Sequence, residues 1–324
     1  MSLKRTLKAI IPPFLWNPGV RIKNRLRTRY LKGLRRLSES SGYTVARESD
    51  YYSPLNSVAQ LRAKEARWNQ PSALRGVDYD LEAMKADFAD LASRYLEEFL
   101  ALPPYRALQQ EGFGPGYTAV DAFTLYATVR HLKPRLYMEV GSGLSTYYCS
   151  LAAARNAAEG SPLAITCIEP YPYARLNTIP GIRLLVKEVQ EVEALLFQEL
   201  EAGDILFIDS SHVVRIDGDV PFLFLEVLPA LKTGVTVHVH DIPFPYNVPY
   251  PASHWVFGQE WPMLWNEAML LQAFLCFNPR FRITLSAPVI RHFDEAFLEK
   301  MLPFYETIRQ NANTFSSIWL KRVA

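Results

Sequence analysis

The apolar pattern changes period several times along the 324-residue chain. Over residues 78–102, Leu81, Met84, Phe88, Leu91, Tyr95 and Phe99 recur every three or four positions among charges. That spacing predicts one face of an amphipathic helix, and Pro103 and Pro104 end it. Upstream, Tyr51-Tyr52-Ser53-Pro54 is a turn signal and a helical pattern starts at Val58; downstream, residues 112–117 read as a loop and 120–132 as an apolar-faced helix. From Arg135 the pattern becomes an alternation. Short apolar runs at 136–140, 163–168, 182–186, 204–209 and 235–239 predict five strands, with helices at 189–200 and 219–231 between them. A long segment rich in proline and aromatics, 242–262, follows. A helix at 264–277, a strand at 281–285, a helix at 294–310 and a last strand at 315–321 complete the reading. Strands alternating with helices define an α/β protein with a doubly wound, Rossmann-like sheet. No internal repeat interrupts it.

Composition supports one large domain with an extension. Apolar residues make up 49% of the chain, enough for a substantial core. Cys149, Cys167 and Cys276 lie far apart in apolar surroundings, which argues against a disulfide framework or thiolate metal site and fits a reducing cytoplasm. No apolar run reaches the length of a membrane span or secretory signal, and Pro12 and Pro13 break the stretch from Ala9 to Trp16. The net charge of +2 conceals an asymmetry: residues 1–40 hold eleven Lys and Arg against Glu39 alone, about +10, leaving about −8 elsewhere. Within this arm, cations alternate with Ile22, Leu26, Tyr30, Leu31 and Leu34, the pattern of a basic amphipathic helix on an anionic membrane face. Nucleic acid is the less favoured partner. The expected division is a basic arm over 1–45, a helical N-terminal extension over 46–116 and a ligand-binding α/β domain over 117–324.

The chain is organised around RLYMEVGSGLSTYYCS, residues 135–150, a strand running through a glycine turn into a helix. Gly141, Ser142 and Gly143 allow a ligand to approach the backbone, and Ser145 and Thr146 open a helix whose free N–H groups face it. Thr146 stands where a dinucleotide fingerprint has its third glycine. Glu139 precedes the turn. A carboxylate there repels a phosphate and attracts a cation, which favours S-adenosylmethionine, with its ammonium and sulfonium, over a dinucleotide.

In open α/β sheets ligands bind at the carboxyl ends of the strands. Glu169 ends the second strand, where an acid can accept both hydroxyls of a ribose; residues 188–190 are candidates for the adenine side. Asp209 ends the fourth strand, facing the cofactor amine or holding an ion, and His212 lies three residues on. A histidine can take the proton of an acceptor hydroxyl at neutral pH, so His212 is the expected general base. His238 and His240 share one face of the fifth strand, and Asp241 follows; His238 sits deeper and reads as a core residue. In the aromatic segment, Tyr246, His254 and Trp255 are expected, with His240, to touch the acceptor beneath a cover.

EVGSGLST, CIEP, DILFIDSSHV, VLPALKTGV, HVHDIPFPYNVP, WNEAMLLQAFL and SSIWLKR together resemble the class I S-adenosylmethionine-dependent methyltransferases, most closely the bacterial methyltransferase family 24. With YYSPL the likeness covers residues 51–324, and the arm lies outside it. The resemblance implies a seven-stranded sheet with its last strand antiparallel, S-adenosylmethionine as cofactor, and methylation of a hydroxyl on a small molecule, with sugar or glycan favoured. In related catechol-type and macrolide-sugar enzymes, two strand-tip aspartates and a third ligand hold magnesium. Asp209 and Asp241 match the first two positions, His212 falls where the catechol-type enzymes have a lysine base, and Ile242 in the third position cannot coordinate. The resemblance therefore implies S-adenosylmethionine and leaves Mg2+ at Asp209 and Asp241 as an open addition. The alternatives are an NAD-dependent Rossmann oxidoreductase and a non-catalytic binding protein of the same fold.

Overall fold

A computed structural model of the chain describes residues 18–45, 52–53, 55–114, 116–312 and 314–324. The arm cations Lys4, Arg5 and Lys8, the Pro12-Pro13 break, and Tyr51 and Pro54 of the turn signal lie outside the described residues. The chain divides into two compact units, Met1–Glu65 and Ala66–Ala324. In the first, the basic pattern forms a 23-residue helix, Pro18–Ser40, and Ser57 caps a short helix, Val58–Ala63, by accepting from the Gln60 N–H. Leu26, Tyr30, Leu34 and Leu37 are exposed on the long helix. No helix among the described residues is long and apolar enough to cross a membrane.

The second unit starts its framework with α1 (Leu81–Leu100), capped by Asp80, which accepts from the Ala83 N–H. Its stripe does what its period requires: Met84, Phe88, Leu91 and Phe99 are buried, and Leu81 and Tyr95 rest against the core. Truncating Phe88 to alanine would cost about 3–5 kcal/mol by the general cost of emptying such a site. α2 (Ala119–Leu132) is buried almost all round, with Thr118 as its cap. Arg130 of α2 ion-pairs with Glu98 of α1 and with Glu159, just beyond α3 (Leu144–Ala158), so one guanidinium joins three helices.

The sheet is seven-stranded: β1 (Leu136–Val140), β2 (Ala164–Ile168), β3 (Ile182–Leu185), β4 (Ile205–Ile208), β5 (Thr236–Val239), β6 (Phe281–Ser286) and β7 (Ile318–Arg322), in the order 3-2-1-4-5-7-6. β1 to β5 pair in parallel, and β7 runs antiparallel between β5 and β6. This is the Rossmann-like doubly wound sheet with an antiparallel last strand that the strand spacing and the resemblance led us to expect. The chain reverses its winding between β1 and β4, which places the topological switch point at Gly141 and Asp209.

Three helical expectations change. Residues 189–200 are two short 3-10 turns, Val189–Glu191 and Ala194–Glu199, although Val189, Val192, Leu196, Phe197 and Leu200 all turn toward the core at the spacing that suggested a helix. The helix expected at 264–277 is shorter, α4 (Glu267–Leu275). The helix placed at 294–310 is α5 (Ala287–Met301): Ser286 caps it from the Val289 N–H, and Asp294 breaks its geometry at φ −154°, ψ 69°. Asp294 then accepts from the Phe297 N–H, a second cap inside one helix. That internal cap is what the sequence displayed as a helix start. All three cysteines are free, with Cys149 and Cys167 buried.

Candidate active site

The glycine turn is demanded first by the protein itself. Gly141 has φ +78°, and a Cβ there would stand 1.9 Å from the Asp209 carbonyl oxygen; at Gly143 a Cβ would stand 2.8 Å from the Phe113 carbonyl. Beneath the turn, Glu139 is fully buried, accepting from Ser145 Oγ at 2.5 Å and Thr146 Oγ1 at 2.6 Å. Burial pushes its carboxyl up to about 8 against those two hydrogen bonds. Glu139, Ser145 and Thr146 thus brace the turn from behind. Thr146 Oγ1 also accepts from the Gly143 N–H, which explains why threonine stands in the third-glycine position.

A cavity of about 300 Å³ opens at the switch point, lined by Gly141, Glu169, Glu188, Gln190, Asp209 and Arg215 among others. Glu169 accepts from the N–H groups of Ser142 at 3.2 Å and Tyr171 at 2.7 Å. Each carboxylate oxygen retains capacity for a further donor. Gln190 Oε1 is buried without a hydrogen-bond partner among the described residues.

A second cavity, about 390 Å³, is walled by His240, Asp241, Tyr250, Trp255, Trp265 and Ser316 among others. Of the residues expected to touch an acceptor, His240 and Trp255 line it. His254 packs edge-on against Trp255, and Tyr246 stacks on Tyr250, facing a separate smaller cavity.

His212, buried, touches one acid from each cavity lining. Its Nε2 lies 3.3 Å from Asp209, which lines the first, and 3.3 Å from Asp241, which lines the second. Its Nδ1 lies 2.8 Å from Glu267 Oε2, and Ser210 Oγ donates to the same carboxylate. The loop after β4 is tied to α4 through the same residue, because the His212 carbonyl accepts from the free N–H groups of Asn266 and Glu267. His212 and Asp241 both hold positive φ, +60° and +56°, a conformation that costs a non-glycine residue about 1 kcal/mol or more. Glu267 was not among the residues singled out from sequence. An acid in the first turn of a helix is so common that WNEA carries no signal beyond capping.

Charge is concentrated here. Burial opposes protonation of His212, but hydrogen bonds to Asp209 and Glu267 and the field of Asp241 outweigh it and hold the imidazole well above its ordinary value. Burial likewise opposes charge on His240, and Asp241, Asp209 and Asp121 raise it. Against the cost of burial, His240 and His212 hold Asp209 below the usual carboxylate range. Among the described residues no lysine or arginine ion-pairs with Asp209, Asp241 or Glu267. His238 is a core residue: it stacks on Phe207 at 4.2 Å, neither ring nitrogen has a hydrogen-bond partner among the described residues, and burial drives its pKa well down.

The side chains at the strand tips fit a divalent ion of one kind. Asp209, His212 and Asp241 each offer a ligand atom, all within 4.8 Å of one another. Magnesium prefers oxygen alone, whereas manganese, iron and zinc accept a nitrogen in the set. Ile242 is fully buried and contributes nothing.

Sheet order, switch-point cavity and glycine turn define a class I, Rossmann-like methyltransferase fold. Residues 138–242 match the family profile described as a methyltransferase domain, Methyltransf_24. No curated protein matches the chain. Among solved structures, it is similar to the O-methyltransferase TomG of Streptomyces achromogenes, involved in tomaymycin synthesis and solved with S-adenosylmethionine, at 15% identity over 76% of this chain and 92% of that one (TM-score 0.40). The Bacillus cereus O-methyltransferase with S-adenosylhomocysteine aligns at 13% identity over 76% and 100% (TM-score 0.41). The Podospora anserina methyltransferase PaMTH1, also bound to S-adenosylhomocysteine, aligns at 13% over 85% and 99% (TM-score 0.37).

Proposed function

We propose that the protein transfers a methyl group from S-adenosylmethionine to a hydroxyl of a small acceptor, with a sugar or glycan favoured. The observation that carries this reading is one imidazole set between two acids that line different cavities, Asp209 on the proposed cofactor side and Asp241 on the proposed acceptor side. Glu169 accepts the ribose hydroxyls, the Gly141 turn passes along the cofactor, and Asp209 faces its cationic end. Aligning two bound reactants supplies most of the acceleration. At rest His212 holds a proton on each nitrogen. With a cationic cofactor bound beside Asp209 that acid's field would be offset and His212 would release its Nε2 proton to solvent; Nε2 would then take the proton of the attacking hydroxyl while Glu267 holds Nδ1. Glu267 is a positioning residue in this scheme. Calorimetric titration with S-adenosylhomocysteine tests the cofactor half directly.

A second reading of the same atoms is favoured by the Asp209, His212 and Asp241 triad. A metal-bound histidine commonly directs its other N–H to a carboxylate, as His212 does to Glu267. An ion held there would polarise the acceptor hydroxyl, and His212 Nε2 would then be a ligand and not a base.

We also infer that the helix Pro18–Ser40 rests on an anionic membrane surface. Exposed Leu26, Tyr30, Leu34 and Leu37 fall within one helical face, and Arg29, Lys32, Arg35 and Arg36 fall on the other side. The division into a basic arm over 1–45, a helical extension over 46–116 and a methyltransferase domain over 117–324 is likewise a proposal; the boundary between the two compact units, after Glu65, falls within the extension.

A further inference from the structure

Arg291, on α5, is a buried cation that forms no ion pair among the described residues. It is 9% exposed, and its Nη1 has no hydrogen-bond partner. Among the described residues no carboxylate reaches its guanidinium. Burial lowers its pKa, the mark of a charge carried at a cost. The reason lies in the backbone. Glu295, four residues on, would be the usual helical counterion, but past the break at Asp294 its carboxylate accepts from the Tyr305 hydroxyl at 2.8 Å, and its field, like that of Asp121, acts on the guanidinium without an ion pair.

Aromatic rings hold the guanidinium in place. Its carbon lies 4.6 Å from the Phe315 ring centre and 5.7 Å from that of Tyr250. Rings over a planar guanidinium leave its edge donors free, and that edge matches the two oxygens of a carboxylate or phosphate. Arg291 lines a cavity of about 180 Å³ with Tyr246, Tyr250 and His292, and Glu295 on its wall. Tyr250 also walls the 390 Å³ cavity beside Asp241, and Phe315 precedes Ser316, whose hydroxyl donates to Asp241 at 2.7 Å.

We propose that Arg291 and the Tyr250 wall form a subsite for an anionic oxygen group, carboxylate or phosphate, at the far end of the acceptor. The anion site stands on its own geometry; only its assignment to the acceptor rests on the methyltransferase reading.

Thermal melts of the full-length protein, titrated separately with inorganic phosphate and with acetate against chloride at equal ionic strength, test it. Either anion is expected to raise the melting temperature of the wild type and leave Arg291→Met unmoved, and the more effective anion names the group. Without added anion Arg291→Met should melt no lower than wild type, since it removes an unpaired buried charge. Arg291→Lys, which keeps the charge and loses the fork, should show a weakened response and serves if Arg291→Met does not fold. Equal responses in wild type and both variants, or no response in wild type, would overturn the proposal. S-adenosylhomocysteine added to the same samples reports on the cofactor separately: its failure to bind would overturn the methyltransferase reading and leave the anion result standing.

Discussion

Glu267 Oε2 lies 2.8 Å from Nδ1 of His212, and this contact fixes which ring nitrogen faces the two strand-tip aspartates. Three carboxylates surround one imidazole, so at pH 7 both nitrogens of His212 are expected to carry protons. His238, stacked in the core, should be neutral at the same pH. Long-range proton–nitrogen NMR of the histidine rings measures both. Glu267→Gln removes one of the raising acids and should lower the pH at which His212 titrates. A neutral His212 at pH 7 in the wild type contradicts the electrostatic account.

Glu139 makes stability fall as pH rises. Its folded pKa of about 8 lies above the model-peptide value, so the folded state holds a proton that the unfolded state has lost. The stabilisation is complete below about pH 4 and is lost as pH climbs through about 8. Chemical denaturation across that window should show a steeper decline for wild type than for Glu139→Gln, which does not titrate. Parallel curves would show that Glu139 ionises as it does in water.

How much of this was legible beforehand differs by element. Strand positions and sheet class could be read because period-two and continuous apolar runs survive in the sequence. The α1 stripe could be read because four of its positions are fully committed to the core. The start of α5 could not, because Asp294 advertises a cap in the middle of the helix. Asp209 and Asp241 could be singled out from strand ends and His212 from the loop three residues on, and the fold brings their ligand atoms within 4.8 Å of one another. Glu267 lies 55 residues beyond His212 in sequence, and only the tertiary fold brings the pair together. Glu139 was read as facing a cation; the structure spends both its oxygens on Ser145 and Thr146. Nothing in the spelling EVGSG distinguishes those two orientations.

The metal reading of the triad separates from the base reading in one titration. With Asp209, His212 and Asp241 as ligands, manganese or zinc should raise the melting temperature of wild type more than magnesium does, and His212→Ala should abolish the difference. Equal responses to all three ions in wild type and variant contradict metal binding and leave His212 as the base.

Membrane contact by the helix Pro18–Ser40 should depend on both of its faces. The protein should co-sediment with vesicles containing anionic phospholipid and stay in solution with neutral ones. Leu34→Asp should weaken the association, and Arg35→Glu with Arg36→Glu should weaken it further, each lost cation near the surface being worth about 1 kcal/mol, about fivefold in partitioning. Equal sedimentation with neutral vesicles would contradict the assignment.

The central claim is that the switch-point cavity beside Gly141, Glu169 and Asp209 holds S-adenosylmethionine. Isothermal titration calorimetry with S-adenosylhomocysteine measures it directly. The wild type should bind one equivalent, and Glu169→Ala, which removes the ribose acceptor, should bind about tenfold more weakly or worse, as expected for loss of charge-assisted hydrogen bonds. Gly141→Val, whose side chain would meet the Asp209 carbonyl, should abolish binding. No heat with the wild type, or the same affinity in all three proteins, would contradict the account.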